Sequence, residues 1–332
     1  MMLLVDRPFV AHQLDHLRRH GVTDIVFSCG YRPDALRDFF GDGSDYGVTL
    51  SYVVDPAPLG TAGAIANVGD ALTGDDLLVL NGDILTDLDL GALMRAHLDS
   101  GAQGTVALTP VDDPSAYGLV RLRPDRAVEA FLEKPSIDDL IPGEPYLINA
   151  GTYLLSPSVV ALIPTGVQCS IEREIFPRVA ADGGLYGFSS DAYWRDIGTP
   201  ESYLDANVDV LAGRVRTETT GAVDGLYRGP GARVDVAAQV RASVTLGADC
   251  AIEAGAIVGR CVVGARAHVG SGALVEDSIV GEGVVIGERA RVEAGMVIGD
   301  GARIAPGSIL IGPGSVPTGA RVAVDGAVTV GA

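Results

Sequence analysis

Aliphatic side chains recur at every sixth residue through the last hundred residues of this chain. The series consists of Val234, Val240, Leu246, Ile252, Val258, Val263, Val269, Val275, Val280, Ile286, Val292, Ile298, Ile304, Leu310, Val316, Val322 and Val328. The two steps after Val258 and Val275 are five residues long. A period of six matches neither the two-residue alternation of a strand nor the 3.6-residue turn of a helix. It predicts a solenoid of five to six coils, in which each of three faces points one aliphatic side chain inward.

The amino-acid composition changes where this repeat begins. All Phe, Tyr and Trp residues lie at or before Tyr227, and the residues beyond it are mostly Gly, Ala, Val and Ile. The repeat resembles the hexapeptide-repeat left-handed parallel β-helix. Because the two ends of such a helix are open, subunit contacts are expected there, and a homo-oligomer formed through the β-helix is predicted.

The N-terminal part alternates between strand and helix patterns. The run Leu77–Leu80 is continuously apolar, as is typical of a parallel-sheet strand covered on both faces. The pattern predicts a Rossmann-like, doubly wound α/β domain with a mixed sheet. We assign this domain to residues 1–215, a linker to residues 216–229 and the β-helix to residues 230–332. The predicted helices cover residues 8–20, 33–40, 61–71, 90–98, 157–163 and 171–181, and the predicted strands cover residues 23–27, 48–54, 76–80, 105–108, 118–122, 127–132 and 146–155.

The composition excludes several classes of protein. A net charge of −19 argues against general binding to nucleic acid or to anionic membranes, because both require a basic surface. No apolar run approaches the ~20 residues of a membrane span. Four isolated cysteines (Cys29, Cys169, Cys250 and Cys261) indicate neither a zinc site nor a disulfide framework, and a cytoplasmic location is expected.

Three histidines are spaced four residues apart on the first predicted helix, at His12, His16 and His20. This spacing is compatible with a metal site. A solvated helix face is the prediction here, because exposed side chains at this spacing are common.

Two acidic motifs stand where α/β proteins hold ligands. Asn81-Gly82-Asp83 comes directly after the apolar strand, and ligands of open α/β sheets lie beyond the carboxyl ends of strands. Asp196 ends a predicted short strand in Trp194-Arg195-Asp196-Ile197-Gly198, just before Thr199 and Pro200, which are suited to cap a helix. Either carboxylate is suited to hold a metal against phosphate. The alternatives are a plain Asn-Gly turn and a capping turn with an incidental acid.

Three further positions are candidates for ligand binding. Gly60, Thr61 and Gly63 join a strand to a helix, where a backbone without side chains allows close approach of a base or phosphate. Lys134 is the only lysine among 24 basic residues, which favours a site where an arginine does not fit. Asn149 lies in a predicted buried strand and therefore needs hydrogen-bond partners, for example sugar hydroxyls.

Together these segments resemble the sugar-nucleotide pyrophosphorylases, which are nucleoside-triphosphate:sugar-1-phosphate nucleotidyltransferases. The segment Ser170–Pro177 and the Trp194 motif look most like the mannose-1-phosphate guanylyltransferase branch. The motifs that carry the resemblance, in order, are Pro-Leu-Gly-Thr-Ala-Gly at 58–63, Asn-Gly-Asp at 81–83, Tyr-Gly at 117–118, Glu-Lys-Pro at 133–135, Asn-Ala-Gly at 149–151, Ser-Ile-Glu-Arg-Glu-Ile-Phe-Pro at 170–177 and Trp-Arg-Asp-Ile-Gly at 194–198.

The resemblance implies substrates, a cofactor and roles for these residues. The substrates would be a nucleoside triphosphate, with GTP favoured, and a sugar 1-phosphate, with GDP-mannose as the expected product. Asp83 and Asp196 would hold Mg²⁺, and Lys134 would contact the sugar phosphate. Tyr117, Gly118, Glu133 and Asn149 would line the sugar pocket, and the loop Gly60–Gly63 would contact the nucleotide.

One departure from the family concerns the N-terminus. The family begins with a strand and a Gly-x-Gly-Thr-Arg loop that binds the triphosphate, and residues 2–9 resemble the segment that normally comes after that loop. About 25 residues are therefore expected to be missing, given the usual lengths of a strand and a loop. Two explanations are open: a start codon assigned too far downstream, which we favour because Asp83, Lys134 and Asp196 are present, or a true truncation. Loss of a central strand would leave an unpaired edge in the sheet.

Three other functions stay open at this stage. A truncated chain would be a weak or inactive regulatory protein that binds sugar nucleotides. A second alternative is a glucose-1-phosphate thymidylyl- or uridylyltransferase. An acyltransferase built on the β-helix would need a catalytic histidine, and His268 is the only one in the repeat.

Overall fold

The fold is described from a computed structural model. It describes residues 3–30, 33–69, 74–136, 139–140, 146–241 and 243–323, together with the backbone of residues 327–329. The chain forms two compact units. The first comprises Gln13–Trp194, and the second combines the segment up to His12 with the chain from Arg195 onward.

The helices lie close to the predicted segments. They are α1 (Phe9–Arg19), α2 (Pro33–Phe40), α3 (Gly60–Val68), α4 (Leu90–Ser100), α5 (Pro157–Val160), α6 (Phe176–Ala181) and α7 (Pro200–Leu211). The segment predicted as one helix over 171–181 is a π-helical turn, Ile171–Ile175, followed by α6. Ser44–Tyr46 forms a 3₁₀ turn.

The strands before the solenoid also agree with the prediction, with short additional ones. They are β1 (Leu3–Leu4), β2 (Arg7–Pro8), β3 (Asp24–Cys29), β4 (Thr49–Val54), β5 (Leu77–Leu80), β6 (Ile84–Thr86), β7 (Gly104–Val111), β8 (Gly118–Leu122), β9 (Val128–Glu133), β10 (Tyr146–Leu155), β11 (Leu185–Ser189) and β12 (Trp194–Asp196).

A mixed sheet forms the centre of the first unit. Its strand order is β11-β7-β10-β8-β9, and β5 also pairs with β10. β11 runs parallel to β7, whereas β5, β7 and β8 run antiparallel to β10. Alternate side chains of β7 enter two different cores: Val106 and Leu108 pack with Phe176 on one face, and Ala107 packs with Leu93 on the other. This two-sided covering confirms the predicted α/β class.

The apolar strand β5 differs from its prediction. All four of its residues are half-buried, although the sequence favours a strand covered on both faces. Among the described residues, β5 pairs only with β10, and β3 and β4 form a separate parallel pair.

The prediction of a solvated histidine face on α1 is wrong. His12 and His16 are 4% and 3% exposed, and of the three only His20 is exposed. The ring of His12 hydrogen-bonds the Leu4 carbonyl at 2.9 Å, because the N-terminal segment folds back onto this helix.

The second unit is dominated by a parallel β-solenoid of about five turns. Its strands form three parallel sheets with one strand per coil. The strands are β13 (Ala222–Val223), β14 (Leu226–Arg228), β15 (Arg233–Val234), β16 (Gln239–Val240), β17 (Val244–Leu246), β18 (Ala251–Ile252), β19 (Ile257–Gly259), β20 (Cys261–Val263), β21 (His268–Val269), β22 (Leu274–Glu276), β23 (Ile279–Val280), β24 (Val285–Ile286), β25 (Arg291–Val292), β26 (Met296–Ile298), β27 (Arg303–Ile304), β28 (Ile309–Ile311), β29 (Gly314–Val316), β30 (Arg321–Val322) and β31 (Ala327–Thr329). β13 extends one of these sheets as an antiparallel partner of β14.

The strand register confirms the coil length. Leu226 pairs with Val244 eighteen positions on, whereas Val244 pairs with Cys261 and Val262 with Ile279, both seventeen positions on. The two shorter coils contain the five-residue steps seen in the sequence. The predicted left-handed sense of the coil stays a prediction.

The aliphatic series lines the solenoid interior. Its members from Leu246 to Val316 are buried, and Val234, Val240 and Val322 in the terminal coils are partly buried. The side chain of Val328 lies outside the described residues. A second interior series of small residues, which the sequence analysis missed, stands two positions before the first and includes Cys250, Ala256, Cys261, Ala267, Ala273, Ala290 and Ala302.

Glycines at one corner of the solenoid allow successive coils to touch through their backbones. A Cβ atom added to Gly247 would lie 2.5 Å from the Ala265 nitrogen, and one added to Gly299 would lie 2.5 Å from the Thr318 nitrogen. Both distances are far inside van der Waals contact, so these corners require glycine.

Helix α7 belongs to the same unit and packs on the solenoid strands β17 and β20. Thr199 caps it by accepting the Ser202 N–H at 3.2 Å, and Pro200 opens it, as predicted. The buried Asn207 Oδ1 accepts the Val5 N–H at 3.1 Å and the Thr245 hydroxyl at 3.3 Å. The compact units therefore divide at residue 195, whereas the boundaries proposed from composition, at 215 and 230, stay a prediction.

No helix within the described ranges is long and apolar enough to cross a lipid bilayer.

Two isoleucines on successive faces of one coil test the inward and outward positions. Ile304 is 2% exposed and Ile309 is 36% exposed. We expect Ile304→Ala to lower the free energy of unfolding by about 2–5 kcal/mol, because it leaves a cavity in the interior. Ile309→Ala should cost less than about 1 kcal/mol. Urea unfolding monitored by circular dichroism measures both, and equal costs would contradict the assigned faces.

Candidate active site

The turn that carries Asp83 is held from two sides. Asn81 donates its N–H to the Gly151 carbonyl at 2.8 Å. Gln13 of α1 donates its side-chain amide to the carbonyls of Asn81, at 2.9 Å, and Ile84, at 3.2 Å. Asp83 itself is exposed at the tip of this turn. Gln13 had no signal in the sequence, since a glutamine on a helix is ordinarily a surface residue.

The Asn149–Gly151 motif lies directly against that turn. Gly151 has a φ of +69°, and a Cβ added to it would lie 2.8 Å from the Asn81 amide nitrogen. The Asn149 Oδ1 accepts the Gly151 N–H at 2.9 Å. These contacts fall where the register of β10 shifts, so the irregular strand brings two predicted motifs together.

The Tyr117–Gly118 and Glu133–Lys134 motifs lie across from each other on the β8–β9 hairpin. Gly118 is the register partner of Glu133, and the Lys134 N–H donates to the Tyr117 carbonyl at 3.0 Å. A Cβ added to Gly118 would lie 3.0 Å from Glu133 Oε2. Lys134 is exposed, with a left-handed φ of +52°, so its ammonium is accessible to an anionic ligand.

Trp194 joins the hairpin to the Asn149–Gly151 motif. Its ring meets the Tyr117 ring edge-on, with centroids 5.3 Å apart. Its indole N–H donates to the Ala150 carbonyl at 2.9 Å. The preceding residue, Tyr193, donates its N–H to Asp87 at 2.9 Å and accepts the Thr86 hydroxyl at 2.7 Å.

A chain of side-chain hydrogen bonds begins at Asn149. The Asn149 amide donates to the hydroxyl of Tyr153 at 2.8 Å, and Tyr153 in turn interacts with Glu172. Tyr153 is 1% exposed, and burial, together with the smaller effect of the Glu172 charge, raises the pKa of its hydroxyl far above the ordinary value. Glu172 also accepts the hydroxyls of Thr61, at 2.7 Å, and Ser170, at 2.8 Å. Sequence reasoning assigned no role to Tyr153 or Glu172.

Close contacts with a neighbouring segment of backbone explain the glycines at Gly60 and Gly63. A Cβ added to Gly60 would lie 2.6 Å from the Cys169 carbonyl oxygen, and one added to Gly63 would lie 2.7 Å from the Val167 carbonyl oxygen. The Thr61 hydroxyl also accepts the Ile171 N–H at 2.9 Å. The first turn of α3, which contains these residues, is therefore fastened to residues 167–172, and its contact with a nucleotide stays a prediction.

Asp196 ends β12 and belongs to the second unit. It is half-buried, and its Oδ1 accepts the Gly198 N–H at 2.7 Å. An ionised carboxylate has about four acceptor positions, so this bond leaves capacity for a cation. Carboxylate oxygens are the ligands that Mg²⁺ prefers, and the donor chemistry of Asp83 and Asp196 fits that ion.

In the part of the chain that the structure describes, no group of three or more His, Cys, Asp and Glu side chains is gathered as a metal site. Mg²⁺ is usually bound by one or two carboxylates, with water and substrate phosphate as its other ligands.

Comparison with known proteins gives the family of this chain. Residues 1–213 match the family described as nucleotidyl transferase, and residues 223–320 match the GMPPB C-terminal domain. The chain belongs to the nucleotidyl transferase family. This membership and the similarity to named relatives identify an enzyme of nucleotidyltransferase type, and they confirm the resemblance seen in the motifs.

Several relatives of this nucleotidyl transferase carry the same name. A mannose-1-phosphate guanylyltransferase from Mycobacterium tuberculosis is 34% identical over 87% of this chain and 73% of its own length. A probable mannose-1-phosphate guanylyltransferase 2 from Oryza sativa is 33% identical over 87% of this chain and 81% of its own length.

Solved structures show the same fold. HddC from Yersinia pseudotuberculosis aligns with a TM-score of 0.54 at 28% identity, covering 62% of this chain and 87% of its own. HddC has also been solved in complex with GMP-PN, and that structure aligns at 27% identity with a TM-score of 0.52, covering 62% of this chain and 87% of its own. A putative glucose-1-phosphate thymidylyltransferase from Bacillus anthracis has a TM-score of 0.57 at 24% identity over 66% of this chain and 87% of its own, a likeness of fold alone.

Replacing the buried tyrosine tests the hydrogen-bond chain. Tyr153→Phe leaves the amide of Asn149 and the carboxylate of Glu172 without this hydroxyl, and we expect a loss of about 1–3 kcal/mol in unfolding free energy. The matched control is Tyr52→Phe, because the Tyr52 hydroxyl donates to the exposed Gly41 carbonyl at 2.8 Å, where water can replace it. Chemical denaturation measures both. A Tyr153→Phe loss no larger than that of the control would contradict the chain.

Proposed function

We propose that this nucleotidyl transferase moves a guanylyl group from GTP to mannose 1-phosphate, forming GDP-mannose and pyrophosphate. One observation supports the proposal most strongly. Within the first unit, contacts link Asn81, Tyr117, Lys134, Asn149–Gly151 and Trp194 into one network. These are motifs by which the chain resembles the guanylyltransferase branch. The names of its relatives supply the nucleotide and the sugar.

The proposed reaction needs alignment and charge neutralisation. A phosphate oxygen of mannose 1-phosphate attacks the α-phosphorus of GTP, and the bond from that phosphorus to the bridging oxygen breaks, so pyrophosphate leaves. The attacking group is already an anion, so no general base is required. Positioning and electrostatic stabilisation therefore account for the catalysis.

The side chains of the network have distinct roles in this proposal. Lys134 binds the sugar phosphate through its exposed ammonium. Glu133 accepts hydrogen bonds from sugar hydroxyls, and the Asn149 amide donates hydrogen bonds to them. Gly118 leaves room for the sugar beside Glu133, and Tyr117 forms one wall of the sugar pocket. The loop that contains Gly60, Thr61 and Gly63 contacts the nucleotide. Tyr153 and Glu172 hold the Asn149 amide and the Thr61 hydroxyl in fixed positions.

A divalent metal is general in this family, and we propose that the ion is Mg²⁺ with Asp83 and Asp196 as its carboxylate ligands. When bound, the ion neutralises developing charge on the transferring phosphates. Gln13 contributes by fixing both carbonyls that flank the Asp83 turn. The Gly198 N–H contributes by orienting the Asp196 carboxylate.

The alternatives named from the sequence are not favoured. The named relatives are guanylyltransferases, and the likeness to a thymidylyltransferase extends to fold alone. His268, the histidine that an acyltransferase would need, lies on the outer surface of the solenoid, 3.7 Å from Glu253.

Two further proposals concern the cell and the assembly. A cytoplasmic location is supported by four buried cysteines that form no disulfide. Burial raises the pKa of Cys250 to about 11 and that of Cys261 to about 12, which keeps both thiols protonated and unreactive. A homo-oligomer formed through the solenoid remains part of the proposal, and light scattering of the purified chain tests it.

An activity assay on the full chain tests the proposed function. Pyrophosphate release is measured with mannose 1-phosphate and each of GTP, dTTP, UTP and ATP, with and without EDTA. We expect release with GTP that EDTA abolishes and Mg²⁺ restores, and that Asp83→Asn reduces about 100-fold or more. Asp34→Asn, another exposed aspartate of the same unit, serves as the control and should stay within a factor of two. Binding of GDP-mannose without any turnover would instead support the regulatory alternative.

The single lysine allows a separate prediction. Lys134→Arg keeps the charge but replaces a compact ammonium with a wider guanidinium fork, so we expect the KM for mannose 1-phosphate to rise about tenfold. The KM for GTP should change little. Steady-state kinetics with each substrate varied in turn measures this split. Equal effects on both KM values would contradict a contact specific to the sugar phosphate.

A further inference from the structure

Arg195 stands between two residues of the Trp194 motif but faces away from them. Successive side chains of a strand point to opposite sides, so in β12 the side chain of Arg195 lies opposite those of Trp194 and Asp196. The family motif gives Trp194 and Asp196 a place in the proposed site. The motif assigns no role in that site to Arg195.

Two carboxylates of α7 hold the Arg195 guanidinium. Its Nε and Nη2 donate to Asp209 Oδ2 at 3.0 and 2.9 Å, and its Nη1 donates to Asp205 Oδ2 at 3.0 Å. The Asp209 side chain is 4% exposed and also accepts Arg214 Nη1 at 2.7 Å. Because a buried carboxylate is costly unless it is paired, Asp209 fixes Arg195 firmly in place.

The ion pairs continue into the solenoid. Asp205 Oδ1 accepts Arg260 Nη2 at 2.6 Å, and Arg260 Nη1 donates to Asp277 Oδ1 at 2.6 Å. The side-chain hydrogen bonds to Asp277 and Asp205 raise the pKa of Arg260 above its already high value. We call the connected series the charge chain; it consists of Arg214, Asp209, Arg195, Asp205, Arg260 and Asp277.

The residues at the solenoid end of the charge chain lie in the two short coils of the solenoid. Arg260 lies in the five-residue step after Val258, and Asp277 lies in the five-residue step after Val275. Both residues have left-handed backbone conformations, with φ values of +39° and +46°. A left-handed conformation is uncommon for an arginine, and the ion pair with Asp277 helps to hold Arg260 in it. The two irregularities in the repeat thus place one ion pair beside α7.

We propose that Arg195 is a positioning residue, and that the charge chain sets the position of the Asp196 carboxylate from the solenoid. The inference rests on the proposed function in so far as Asp196 is a ligand of its divalent cation. Arg195 acts through the backbone: its guanidinium, clamped by Asp205 and Asp209, fixes the strand residue whose neighbour is Asp196. In this proposal the solenoid contributes to metal binding, in addition to the subunit contacts proposed above.

An arginine is required at the two positions of the charge chain that bridge carboxylates, Arg195 and Arg260. Arg195 bridges Asp209 and Asp205, and Arg260 bridges Asp205 and Asp277, which needs donors on separate nitrogens in a fixed plane. A lysine ammonium is a single point charge and cannot span either pair in this geometry. The charge chain thus explains why guanidinium groups stand here.

The test uses the full chain and a matched pair of solenoid variants. Arg260→Gln removes the link of the charge chain between Asp205 of α7 and the solenoid. Arg241→Gln is the control, because Arg241 also pairs with a carboxylate of another coil, Glu276, at 2.9 Å. Arg195→Lys tests whether the guanidinium fork of Arg195 is needed. Asp196→Asn tests whether the metal ion that is measured binds at Asp196. Thermal unfolding of every variant checks that the fold is retained.

Binding of Mn²⁺ alone, monitored by the electron paramagnetic resonance of the free ion, gives a readout that needs no turnover. Groups that orient a metal ligand typically contribute 10–100-fold in affinity, so we expect Arg195→Lys and Arg260→Gln to raise the Kd for Mn²⁺ by about tenfold. Arg241→Gln should leave it unchanged. In kinetics, the Mg²⁺ concentration for half-maximal rate should rise in parallel, with the KM for mannose 1-phosphate unaltered.

The outcomes separate this inference from the proposed function. Mn²⁺ binding that Asp196→Asn leaves unaffected overturns the inference, as does an equal effect of Arg260→Gln and Arg241→Gln. If the expected Mn²⁺ pattern is found in a chain that transfers no guanylyl group, the positioning role stands and the proposed reaction fails. If transfer is found with an unchanged Mn²⁺ affinity in Arg260→Gln, the reaction stands and the positioning role fails.

Discussion

Close contacts at glycine positions, where a Cβ atom would overlap a neighbouring backbone or side-chain atom, underlie both parts of this molecule. In the first unit, Gly60 and Gly63 allow α3 to touch the carbonyls of residues 167–169, and Gly151 allows β10 to touch Asn81. In the solenoid, Gly247 and Gly299 allow one coil to rest on the next. A single methyl group at any of these points would overlap a neighbouring atom. The motifs that form the candidate site can meet only because these positions have no side chain.

The fold was predictable to a large extent because it is determined by periodicity. One rule, an aliphatic residue at each sixth position, specified the interior from Leu246 to Val316, and the two five-residue steps specified which coils are short. The second interior series escaped notice because Ala256 or Ala267 is unremarkable in any context. Histidines at helical spacing predicted a solvated face for His12 and His16, but both are buried, and His12 packs against the preceding segment at Leu4.

The candidate site was predictable as a set of residues but not as a network. Motifs identified Asn81, Asn149 and Trp194 one at a time, whereas their contacts join segments far apart in the chain. Tyr153 and Glu172 had no signal of their own, because a tyrosine in an apolar strand indicates core and a glutamate before a helix indicates a cap. Their connection depends on how α3, β10 and residues 170–172 pack, and no local pattern encodes that.

Because the coils differ in length, one position along the solenoid axis is distinguishable from the others. A regular helix of identical turns could slide by one turn against α7 and find the same surface. Turns of seventeen residues at Arg260 and Asp277 break that equivalence, because one position along the stack presents this pair to Asp205. Whole turns of eighteen residues can be added beyond Val280 without disturbing that match, whereas a turn inserted between Arg260 and Asp277 would separate the pair. Length variation is thus compatible with a fixed attachment point.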